Sequence, residues 1–152
     1  MWIGLSKFPE TESVIAAFAS NAPGVTVRWG DLLEDDYHDG VLLVLVQNPS
    51  EFPFRIDAYR LCELDEYDLG LVIARDLSIL LDCSTICDGS RHGPTAAPYW
   101  SIVWQQGKAF LADDCNSVFV DGSCDVSESE RQSLGPVKTI GPISNERLPS
   151  KV

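Results

Sequence analysis

Basic residues are scarce in this chain, and histidine scarcer still. Eleven Lys and Arg stand against 23 Asp and Glu in 152 residues, with two histidines, His38 and His92, and a formal net charge of −12. A field of that sign repels nucleic acid and anionic membrane surfaces and attracts basic partners. Long apolar runs are also missing. The longest, Val41 to Val46, falls far below the roughly 20 residues that span a bilayer. The opening Met1-Trp2-Ile3-Gly4-Leu5 is too short for the apolar part of a signal peptide and lacks a basic start. The chain is therefore expected to be cytoplasmic. Cys62, Cys83, Cys87, Cys115 and Cys124 are odd in number, and free thiols are the expected state in a reducing compartment, with a Cys115–Cys124 disulfide as the alternative.

Nucleotide and hydrolase signatures are absent. No G-x-x-x-x-G-K-[ST], G-x-G-x-x-G or G-x-S-x-G occurs, so neither a phosphate cradle nor a nucleophile elbow is expected. Cys83-x-x-x-Cys87 lacks zinc-knuckle spacing. The acidic run from Asp31 to Asp39 lacks the ligand order of a calcium loop. No metal, no cofactor and no catalytic residue is expected.

What is present is a pattern of short elements. Val14, Ile15 and Phe18 recur at helical spacing within Pro9 to Ser20, ended by Asn21-Ala22-Pro23-Gly24. Val25 to Trp29 alternates as a strand. Val41 to Val46 is apolar on both faces, as in a strand covered on each side. Pro53 to Leu61 reads as its amphipathic antiparallel mate. The strongest helix runs from Asp65 to Leu81, with Leu69, Val72, Ile73, Leu77 and Leu80 on one stripe and Asp65 as N-cap. Ser84 to Cys87 and Tyr99 to Trp104 read as strands, separated by a Gly/Ser/Pro-rich loop. Lys108 to Ala112 forms a hairpin with the second of these across Gln105-Gln106-Gly107. Val118-Phe119-Val120 is read as a further short strand. These elements predict an α+β fold, a mainly antiparallel sheet with two principal helices packed on it. Residues 1–121 are read as one domain. Residues 122–152 are read as an irregular tail partly packed on it, with Val137, Ile140 and Ile143 as pins.

The charge excess belongs to the body. From Met1 to Asp121 there are 7 basic and 19 acidic residues, and from Gly122 onward 4 of each. Asp31, Glu34, Asp35, Asp36 and Asp39 surround Tyr37 in one connection, an aromatic anchor inside steering charges. Glu63 and Glu66 flank the start of the main helix. These eight residues form the candidate partner-binding surface. The bland alternative is that the run is a solvated turn and that helix-start acids merely face the helix dipole. Two other functions stay open. One is a small enzyme with Cys87 and His92 in a loop site. The other is a small-molecule-binding domain with a pocket lined by Trp29, Trp100 and Trp104.

Three stretches carry a family resemblance: Phe52-Pro53-Phe54-Arg55-Ile56 after the apolar strand, Leu69 to Leu77 after the acidic helix start, and Pro98 to Trp104 before the Gly107 turn. Together they span Val41 to Asp114. In this layout the chain resembles the immunity proteins of bacterial polymorphic-toxin and contact-dependent inhibition systems. The resemblance implies a cytoplasmic, non-enzymatic inhibitor that binds a cognate toxin, and it transfers no individual residue.

Overall fold

The computed structural model describes residues 1–31, 40–61, 64–123 and 126–150. Its strands are β1 (Trp2–Leu5), β2 (Val27–Trp29), β3 (Val41–Gln47), β4 (Phe54–Tyr59), β5 (Ser84–Asp88), β6 (Trp100–Gln105), β7 (Lys108–Asp113) and β8 (Lys138–Pro142). They form one 8-stranded sheet in the order β2-β3-β4-β1-β5-β6-β7-β8. Among the strand pairs of the described residues, only β2–β3 is parallel. The helices are α1 (Thr11–Asn21), α2 (Glu66–Leu80) and the short α3 (Glu128–Arg131). The fold is α+β, and α1 and α2 are its two principal helices.

Both principal helices cover the same face. α1 buries Val14, Ala17 and Phe18, and α2 buries Leu69, Val72, Ile73 and Leu77. These side chains meet Ile3, Leu43, Ile56, Ile102 and Trp104 from the sheet in one continuous core. The period of 3.6 on the helices and of 2 on the strands thus converge on one layer boundary. Leu80, the last member of the α2 stripe, is exposed. Asp65 caps α2, accepting from the backbone N–H of Tyr67 at 3.1 Å and of Asp68 at 3.3 Å. The β6–β7 hairpin turns through Gln106 at φ 49° and Gly107 at φ 76°. Two consecutive positive φ values suit the right-handed twist of the flanking strands.

The opposite face carries a smaller core of Phe52, Ile86, Val103, Ala112 and Phe119. Phe119 lies directly on the backbone of β1. A Cβ at Gly4 would stand 2.7 Å from its ring and 2.6 Å from Ile86 Cγ2, so only glycine admits that approach. Asn48 Nδ2 donates to the Phe119 carbonyl at 2.9 Å and anchors the covering segment from the far end of the sheet.

Two expectations change, and one strand has no counterpart among the predicted elements. Val118-Phe119-Val120 is a turn, not a strand; its apolar residues plug the second core instead of pairing. Trp2–Leu5 is a central strand, hydrogen-bonded between β4 and β5. Lys138–Pro142, within the stretch read as irregular, pairs with β7 as the edge strand of the sheet. Of the three tail pins, Val137 and Ile143 pack against the two cores, whereas Ile140 is exposed.

Candidate functional site

Antiparallel pairing sends the N-termini of β1, β3, β6 and β8 and the C-termini of β4, β5 and β7 to one end of the sheet. The chain's longer connections gather there: Tyr59 to the α2 N-terminus, Gly89 to Tyr99, and Asp114 to Val137. At the other end the connections are tight, as at Gln106-Gly107. Loops fixed on a rigid scaffold are where binding residues concentrate.

Two concavities open at the loop-bearing end, and Trp2 lines both. The larger, about 760 Å³, lies beside the α2 N-terminus against Asp65, Glu66, Tyr67, Asp88 and Arg91. The smaller, about 310 Å³, lies on the other face of the sheet, lined by Arg55, Tyr99, Asp114 and Phe119. Asp57, Asp113 and Asp121 add further carboxylates at this end. Arg91 and Arg55 are each drawn to an acid: Arg91 reaches Asp65 at 3.3 Å and Arg55 reaches Asp57 at 2.9 Å.

The wall of the larger concavity is organised by one directed chain of hydrogen bonds. His92 Nε2 stands 2.8 Å from the Arg147 carbonyl, which can only accept, so Nε2 carries the proton. His92 Nδ1 then accepts from the Tyr67 hydroxyl at 2.6 Å. The Arg91 backbone N–H donates to that hydroxyl at 3.2 Å. The two rings stack at 5.7 Å, with the Arg91 guanidinium 4.4 Å from the Tyr67 centroid. Burial pushes the Tyr67 phenol far up, which keeps it a donor. This network ties the Gly89–Tyr99 loop, α2 and the C-terminal segment together, and it offers no free base. The Asp68 amide, and after it Arg91, hold the Asp65 carboxyl below the ordinary carboxylate range.

The smaller concavity holds an unusual carboxyl. Asp114 is only 3% exposed. Its Oδ2 accepts from the Ser101 hydroxyl, while Oδ1 is buried without a partner. Burial pushes its pKa up to about 6 against the pull of Ser101, with Asp113, Asp121 and Asp88 adding repulsion. Arg55 Nε, in the same wall, is likewise buried without a partner.

The candidate partner-binding surface is only partly visible. Glu34, Asp35, Asp36, Tyr37, Asp39 and Glu63 lie outside the described residues. Asp31 is exposed, and so is Glu66, beside the larger concavity. Cys124, needed for the Cys115 disulfide, also lies outside them. Cys87 and His92 are not brought together as a nucleophile pair. Cys87 is in the core, with its thiol pushed up to about 12 by burial, and both His92 ring nitrogens have other partners. A reactive cysteine needs the opposite environment. The tryptophan pocket is not formed by Trp29, Trp100 or Trp104. Trp104 is core, and Trp100 donates to Thr95 Oγ1 at 3.1 Å. Trp2 lines both concavities instead. Among the described residues no group of three or more His, Cys, Asp or Glu is placed to hold a metal ion, and no helix is long and apolar enough to cross a membrane. Asp114 is the residue that sequence reasoning missed. An acid abutting strand β7 was its only signal, and acids are too abundant here for one more to stand out. Comparison with known protein families, curated proteins and solved structures gave no match for this chain.

Proposed function

We propose that the chain is an immunity protein that binds a basic bacterial toxin domain at the loop-bearing end of its sheet and neutralises it. The observation that carries this reading is the coincidence of three features at that end. The long connections gather there, carboxylates crowd there (Asp57, Asp65, Glu66, Asp88, Asp113 and Asp121), and two concavities there share Trp2. Carboxylates steer a cationic partner and fix its register, while aromatic residues in concave sites supply the anchoring area. The acidic residues around Tyr37 belong to this proposal by their charge alone.

The mechanism is stoichiometric. Opposite charge accelerates encounter, burial of aromatic side chains slows dissociation, and the bound chain covers the toxin's active surface. The test is to look for a toxin-like reading frame beside the gene and to co-express its product with this chain. Protection of the host and a stable complex are expected. Asp35→Lys combined with Glu66→Lys should slow association several-fold at low salt and flatten its salt dependence. No protection and no complex, or an unchanged rate at low salt, would contradict the proposal.

A second reading has one observation in its favour. The larger concavity, at about 760 Å³, is in the size range of small-molecule sites. A ligand seated there would change Trp2 fluorescence, and Trp2→Phe would abolish the change.

A further inference from the structure

We infer that the smaller concavity is a receptor for a guanidinium side chain, with Asp114 as the acceptor and the arginine delivered by the partner. This rests on the docking reading above and names the chemistry of one anchor. Asp114 lines the cavity, and its Oδ1 is buried without a partner, although its sister oxygen is satisfied by Ser101. A buried acceptor without a donor is destabilising, so a site that keeps one gains when a donor arrives. Trp2, Tyr99 and Phe119 give the same cavity aromatic walls, and a planar cation stacks on such faces.

Charge selects the sign of the occupant. Asp88 at the end of β5, Asp113 at the end of β7 and Asp121 in the following turn all act on the Asp114 carboxyl. Arg55 from β4 has its charge answered by Asp57 at 2.9 Å, and Lys138 stands opposite Asp113 in the β7–β8 register. The Arg55 Nε–H remains a buried donor in the same wall. An arriving arginine also carries peptide carbonyls, and one of these suits that donor. An anion would face the surrounding carboxylates, and a purely apolar group would leave both Oδ1 and Nε unanswered.

The test uses the whole chain and free probes, so it does not depend on any toxin. N-acetyl-arginine amide and its citrulline analogue, which has the same shape without the charge, are titrated at pH 7.5. The Trp2 indole and Asp114 amide signals are followed by NMR. Saturable shifts are expected with arginine at a dissociation constant on the order of 10 mM or below. The citrulline probe should bind about tenfold more weakly, by loss of a charge-assisted bond. Asp114→Asn should lose about tenfold with the arginine probe, and binding should weaken at pH 5 as Asp114 takes up a proton. Tyr99→Ala, at a half-exposed rim position, should weaken binding several-fold while leaving the Asp114 carboxyl intact. Equal binding of both probes, full binding by either variant, or no saturable shift up to roughly 0.1 M would overturn the inference. If these probes fail while the toxin is still captured, only the arginine pocket falls. If they succeed while no toxin binds, the docking reading falls instead.

Discussion

Asp114→Asn should stabilise the protein, and by an amount that grows with pH. In the fold this carboxyl is held near a pKa of about 6, against an ordinary value of 3.8. The folded protein therefore binds this proton more tightly than the unfolded chain does. The favourable contribution is complete below pH 3.8 and is lost as pH rises through about 6. Above that, an ionised carboxylate is retained inside the second core at a cost of about 3 kcal/mol, from 1.36 kcal/mol per pKa unit. Asparagine keeps the shape and an oxygen to accept the Ser101 hydroxyl, and it removes the titration. Between pH 4 and pH 8 the stability of the variant relative to wild type should rise by about 2 kcal/mol. At pH 8 that is a melting temperature higher by roughly 4–10 °C for a domain of this size. Urea unfolding of both proteins at several pH values measures it, and the shared titration of other acids cancels in the difference. A gap that stays constant with pH, or one that moves against the variant as pH rises, would refute the burial argument.

Two further outcomes follow from the packing around the site. Phe119→Ala should cost about 3–5 kcal/mol, because the ring fills the space between Gly4, Trp2 and Phe52; a loss under 1 kcal/mol by chemical denaturation would mean that the covering segment is not seated on the sheet. Tyr67→Phe should cost about 1–2 kcal/mol and shift the His92 Nδ1 resonance as that nitrogen loses its donor, while the Arg147 carbonyl keeps the proton on Nε2; a switch to the Nδ1–H tautomer would mean that the Arg147 contact does not fix the ring.

The fold was largely legible where periodicity is strong. α2 declares itself through Leu69, Val72, Ile73 and Leu77 with Asp65 as cap, and the β3–β4 and β6–β7 hairpins through apolar runs broken by turn residues. The misses have physical causes. Trp2–Leu5 is only four residues long, too short to establish a period, and its Gly4 reflects a close approach by Phe119 that only tertiary structure reveals. Val118-Phe119-Val120 has strand composition but uses its apolar residues as a plug. β8 has exposed side chains at all but one position, so backbone pairing with β7 alone places it, and no hydrophobic pattern records that. The site was less legible than the fold. Charge pointed to an acidic surface, whereas the importance of Asp114 lies in its burial and in one unmatched oxygen. Neither property can be read from residue type or spacing.

Hydrogen exchange on the chain with and without a toxin domain that it captures on co-expression bears most directly on the docking claim. Slowed exchange is expected at residues 64–68, 88–99 and 113–121, around the cavities that share Trp2. Protection confined to the opposite end, at the Asn48–Pro53 and Gln106–Gly107 turns, or to the free edge of β8, would contradict it.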